Sequence, residues 1–271
     1  MLLEVPETDA PTDIAHLYGE IRIRMGVPFV ALFYRNLAGI DGALAWMWDI
    51  VAPLLASGRL QRTAARVAAA GAPPARLSLG AAPDDRAAIG AVVAAYNRAN
   101  PMNYTCAALL DHILSARSLD PDALEGSVFG DERLPEAPKH VPPMVSPDAF
   151  PAELRVAVGR LESSETAGDG IVPSLYRHLA NWPGFLGAAA TALGRRFDDG
   201  SILTAAHAVA EAGRHEVPRL VAGLNIAPAP PLLITNRAAV TESVEKFSRR
   251  IPEMIVVGRL LAAALMEEKN V

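Results

Sequence analysis

The sequence predicts an all-α protein made of two tandem, diverged helical repeats. Composition and an internal match carry that prediction. Half of the residues are apolar but only 6% are aromatic, with alanine dominant; alanine has the best helix propensity and lets helix axes approach closely. Alternating strand patterns are essentially missing, whereas proline and glycine punctuate helix-length segments throughout. The internal match is YRNLAGIDGAL at 34–44 against YRHLANWPGFL at 176–186, in which Tyr34/Tyr176, Arg35/Arg177, Leu37/Leu179, Gly42/Gly184 and Leu44/Leu186 recur at one offset. Gly58 and Gly200 keep that offset. Later in each half, YNRANP at 96–101 aligns with FSRRIP at 247–252. Two matched segments in the same order point to duplication.

The predicted helices of the first repeat cover 11–25, 28–38, 41–57, 60–70, 84–99 and 101–116. Those of the second cover 150–163, 173–180, 183–196, 201–213, 237–250 and 252–268. Asp9 or Thr12 is the expected cap of the first helix. Pro101, Pro183 and Pro252 suit the first turn of a helix, where no N–H is missed. The domain reading is a first repeat over 1–120, a linker over 121–148 rich in Pro, Asp and Glu, and a second repeat over 149–271. Residues 217–233, with four prolines, form a second irregular stretch.

A chain of 271 residues can bury a sizeable core. The net charge of −5 is spread without a basic stripe, which argues against nucleic acid as a partner. The acidic, proline-bearing start is unlike a secretory signal, and no run of 18 apolar residues suggests a membrane span. The expectation is a cytoplasmic protein. A single cysteine, Cys106, excludes an internal disulfide, a CxxC pair or a cysteine-based zinc knuckle. No GxSxG, P-loop or GxGxxG occurs, so serine-hydrolase elbows and nucleotide cradles lack support. His207, Glu211 and His215 share one helix face, which reads as a solvated face before it reads as a metal site. Arg35 and Arg177, recurring in both repeats, suit pairing across the repeats or anchoring of a carboxylate through a bidentate fork. Alanine-rich helix faces fit a homodimer.

Four segments together resemble the group I 2-haloacid dehalogenase family: IRxxxGVPFV at 21–30, the duplicated YRxLA, AYNRANP at 95–101 and LANWPGFL at 179–186. The resemblance runs over nearly the whole chain. It implies an all-α pseudo-dimer related in plan to alkylhydroperoxidase-D-like proteins, with a site between the two units. It also implies displacement of halide from C2 of a short 2-halocarboxylic acid by activated water, without metal or organic cofactor. Carried over residue by residue, the family's water- or substrate-orienting asparagine falls on Asn100 and its serine on Ser174. Its pocket aromatic falls on Phe29 and an apolar pocket position on Leu32. Asn103 stands where the family has a tyrosine. Leu175 stands where the family has its general-base aspartate, and a leucine cannot take a proton from water. His178, three residues on and about 60° around the helix, is the candidate replacement base, with Asp169 as the other. Arg177 is the candidate carboxylate anchor. Three readings follow: hydrolysis of carbon–halide bonds, a non-catalytic small-acid-binding or self-associating scaffold, and a different hydrolytic reaction in the same cavity.

Overall fold

The computed structural model describes residues 3–71, 77, 79, 83–115, 133–222 and 234–267. Among them there is no strand. Ten helices form two runs of five. The first run is α1 (Thr12–Met25), α2 (Leu32–Ala38), α3 (Ala43–Ala56), α4 (Arg59–Ala70) and α5 (Pro83–Leu114). The second is α6 (Ala152–Val158), α7 (Ser174–Leu179), α8 (Pro183–Asp198), α9 (Ser201–Val221) and α10 (Arg237–Glu267). Matched helices meet across the halves: α5 packs against α10, and α4 against α9. This is the pairing that a twofold relation between two copies requires. Gly58 and Gly200 both adopt positive φ, 71° and 74°, which ends one helix and starts the next at the same place in each half.

Several boundaries differ from the sequence expectation. Pro101 and Pro252 do not start helices; each lies inside one unbroken helix, α5 or α10. An interior proline removes one backbone hydrogen bond and bends the axis, and long helices that bury apolar surface along their length absorb that loss. Asn100 therefore caps nothing. Pro218 likewise sits inside α9, so the irregular stretch expected from 217 begins later, and its residues 223–233 lie outside the described ones. Residues 121–132 of the linker are also outside them. The start of α2 moves from 28 to Leu32 because Val30 donates its N–H to Glu7 Oε1 (2.8 Å) in extended backbone. Helix α1 begins after Pro11 with no side-chain cap, so neither Asp9 nor Thr12 has the capping role.

Each run is preceded by an extended strap that pairs with the short tyrosine-bearing helix. Val5 N–H donates to the Arg35 carbonyl, and Val145 N–H to the Arg177 carbonyl, both at 3.0 Å. A 3-10 turn follows each strap, Glu7–Asp9 and Pro147–Ala149. The two straps meet the duplicated arginines at one carboxylate. Glu4 places Oε2 3.0 Å from Arg35 Nη2 and Oε1 3.3 Å from Arg177 Nη1.

The centre of the molecule is the contact of α5 with α10. Gly258 lets the two backbones approach there: the Asn97 carboxamide donates to the Gly258 carbonyl at 3.0 Å, and a Cβ at Gly258 would collide with that same carboxamide. Gly258→Val is expected to destabilise the fold by about 1–3 kcal/mol through overpacking. Asn97→Ala alone loses about 1 kcal/mol. The double variant should be less destabilised than the sum of the two, read from urea midpoints, because the colliding group is gone. Strict additivity would contradict this contact.

Candidate functional site

A narrow cavity of about 40 Å³ lies where α2 and α7 abut α5 and α10. Its wall takes Leu32 from α2, Ser174 and Leu175 from α7, and Tyr96, Asn100 and Asn103 from α5. Helix α10 closes it with Phe247, Arg250, Ile251 and Met254. Alanine 31 and Pro173 place the cavity at the first turns of α2 and α7, and neither helix has a side-chain cap. The periodicity explains the α5 contribution: Tyr96, Asn100 and Asn103 are four and three residues apart, one stripe of a helix.

Two polar atoms in this wall have no partner of full hydrogen-bond geometry in the protein, Ser174 Oγ, which lies beside the Tyr96 hydroxyl, and Asn103 Oδ1. Their residues are 7% and 2% exposed. Buried polar groups are normally hydrogen-bonded, so such a pair facing a cavity marks a place for a ligand or water. A far larger groove, about 910 Å³, runs between α5, α9 and α10. It contains His207, Glu211 and His215, whose side chains are exposed and already paired, His207 with Glu165 at 2.8 Å and His215 with Glu211 at 3.0 Å. Size favours the groove, which has one such atom of its own, Ser248 Oγ; the cavity has two in a far smaller wall, and that density carries more chemical information. No group of three His, Cys, Asp or Glu side chains suited to a metal occurs among the described residues.

Family models and curated proteins give no match to this sequence. Solved structures do. The chain superimposes on a D-2-haloacid dehalogenase mutant with a TM-score of 0.75 at 15% identity, over 98% of this chain and 96% of that one. A complex of a D-2-haloacid dehalogenase mutant with D-2-CPA gives 0.72 and 17%, over 100% and 96%. A complex of D-2-haloacid dehalogenase with L-LA gives 0.65 and 16%, over 100% and 97%. This chain has the D-2-haloacid dehalogenase fold. At such identities the likeness carries the fold and not the reaction.

Within that dehalogenase fold the candidate residues divide into two groups. Leu32, Asn100, Asn103, Ser174 and Leu175 share the cavity. Phe29, Arg177 and His178 are not in its wall. Phe29 lies behind Tyr96, stacked on it with ring centroids 4.5 Å apart. Arg177 is spent on Glu4 and on the Val145 carbonyl. His178 places Nδ1 2.6 Å from the Tyr96 hydroxyl. Burial lowers the His178 pKa to about 4, against the pull of the Ser174 and Pro142 carbonyls, and the charges of Arg35 and Arg177 depress it further. The ring is neutral at neutral pH and a weak base.

Asp169 is not in the wall either. It grips Arg250 with two bonds, Oδ1 to Nη2 at 2.9 Å and Oδ2 to Nε at 3.0 Å. Arg250, which the sequence reading did not single out, directs its remaining N–H groups to Glu253 and to the carbonyls of Leu161 and Thr166. All five of its donors are thus engaged. Glu253 is almost wholly buried, and burial raises its pKa against the pull of Ser163, Arg250 and Thr166. The cluster fastens the loop before α7 to α10, and so fixes one end of the cavity. Cys106 is buried with its thiol pushed up to about 12 by desolvation, which makes it inert. Tyr96 and the α10 residues were the ones missed; the match of YNRANP to FSRRIP would have located them.

Because the folded pKa of His178 lies near 4 and the unfolded one near 6.5, only the unfolded chain takes up this proton between those values. Stability should therefore be lost as pH falls from about 6.5 to 4, by up to about 3 kcal/mol. His178→Asn should flatten the denaturation midpoint over this window. An unchanged pH profile in the variant would contradict the neutral buried ring.

Proposed function

We propose that this chain binds a short carboxylic acid in the cavity between its units, and that Leu175 has removed water activation from a dehalogenase-type site. The observation that carries this reading is the composition of the cavity wall. Asn100, Asn103 and Ser174 keep donors for an anion or a water, whereas Leu175, 1% exposed, puts an apolar side chain where a base would stand. No ionised carboxylate belongs to the wall among the described residues. A volume near 40 Å³ suits a ligand of a few heavy atoms.

Hydrolysis of carbon–halide bonds is the second reading. It is favoured by the Tyr96–His178 hydrogen bond, which sets a titratable ring one bond behind the wall. Titration of purified protein with D- and L-2-chloropropionate, followed by calorimetry and by halide release, separates the two. The proposal expects saturable binding with no release by the wild type. Loss of a positioned base costs ~10²–10⁴ in rate, so Leu175→Asp should release halide at least ~10²-fold faster than the wild type if the pocket orients water as proposed. Release by the wild type at the variant's rate would replace the binding reading with the hydrolytic one.

A further inference from the structure

The relation that pairs α5 with α10 and α4 with α9 also pairs two surface grooves. One is the groove of about 910 Å³ between α5, α9 and α10. Its mate, of about 500 Å³, runs between α4, α5 and α10. The repeat offsets bring their walls into register. His207 and Glu211 of α9 fall on Ala65 and Ala69 of α4. Ser248 and Pro252 fall on Asn97 and Pro101, and Asp111 and His112 fall on Ala262 and Ala263. The mate is already in use. Segment 133–135, which is not helical, forms one side of it. Leu134 packs partly buried against the core, and Pro135 keeps it out of the helical region. Arg98 Nη1 donates to the Pro135 carbonyl at 3.2 Å. The chain thus seats a proline-bearing segment of its own in one of two equivalent grooves. Among the described residues the larger groove is walled by helices and Glu165, with no such segment across it.

We infer that the larger groove docks a peptide segment of a partner protein, non-helical, proline-bearing and basic, seated as 133–135 is seated in the mate. Two groups are left for its backbone. Arg249, the matched counterpart of Arg98, is exposed and makes no hydrogen bond or ion pair among the described residues. Ser248 Oγ is a buried atom of the wall without a partner. A guanidinium donates to a peptide carbonyl and a hydroxyl accepts from a peptide N–H, so the pair suits an extended main chain. Main-chain bonds of this kind supply affinity, and side-chain contacts supply selectivity. The selectivity here is electrostatic. No carboxylate lines the mate among the described residues, whereas Asp111, Glu165 and Glu211 line this groove. These three carboxylates outnumber the two arginines of the same wall, Arg214 and Arg249, which favours a basic side chain over an acidic one. This docking site is separate from the acid-binding cavity and does not depend on it.

The test is fluorescence anisotropy of a labelled peptide with the sequence of residues 133–141, RLPEAPKHV, titrated with the whole protein. The wild type should bind it saturably. Arg249→Ala should weaken binding at least ~5-fold, the loss expected for a residue that anchors the contact. Glu211→Lys should weaken it in the same direction by reversing one charge of the wall. Ala69→Trp, in the mate, should leave the affinity unchanged, because that groove holds the chain's own segment. All three positions are exposed, and circular dichroism checks that each variant is folded. No binding by the wild type, or binding that Ala69→Trp abolishes and Arg249→Ala spares, overturns the proposal. So does a protein that sediments as a dimer without peptide and as a monomer in Arg249→Ala, because the occupant of the groove is then a second copy of the chain.

Discussion

The close approach of α5 to α10 is the constraint on which the rest of the structure depends. These are the two longest helices, they come from opposite halves, and they cross at Gly258, where only a residue without a side chain leaves room for Asn97. Each carries a proline at the matched position, Pro101 or Pro252, and continues past it. The cavity lies beside this crossing, where the short helices α2 and α7 complete its wall. Without the α5–α10 contact, Asn100 and Asn103 would have no facing wall and the paired positions of the two repeats would not converge.

Charge is arranged around this core in two clusters, each joining segments that are distant in sequence. Near the straps, one carboxylate from Glu4 serves both duplicated arginines, so the N-terminal segment holds the two units together. At the other cluster Arg250 gathers Asp169, Glu253 and two carbonyls and secures the loop that leads into α7. Removing one member of such a buried set leaves uncompensated charge, which costs far more than the set contributes in net stability. Both clusters act as fasteners, and in the second all five N–H groups of Arg250 are engaged.

The helical class was readable in the sequence, and the matched residues fall at equivalent places in the two runs of helices: Tyr34/Tyr176 are fully buried and Gly58/Gly200 both have positive φ. The gathering of Leu32, Asn100, Asn103, Ser174 and Leu175 was accessible only through resemblance, since nothing in periodicity says that α2, α5 and α7 meet. Three features were hidden for physical reasons. Proline normally breaks helices, so the continuity of α5 and α10 depends on tertiary burial that local propensity does not encode. His178 lies next to Leu175 in a helical projection, yet its ring turns to Tyr96 and away from the cavity. Arg250 was one of two adjacent arginines, and only packing determines that it is the buried one while Arg249 is exposed.

The proposal separates two parts of a dehalogenase-type site, one that would bind and one that would activate water, and places leucine at the second. That separation is physically simple. In the proposal binding would draw on Ser174, Asn100 and Asn103, whereas catalysis needs one titratable group within hydrogen-bond reach of a water. The most direct test of this account is a crystal structure of the protein grown with 2-chloropropionate. The account predicts an intact 2-chloropropionate molecule in the cavity between α2, α5, α7 and α10, with its carboxylate within hydrogen-bond distance of Asn103 or Ser174. A molecule of product 2-hydroxy acid there, or ligand bound only in the groove beside His207 and Glu211, would contradict it.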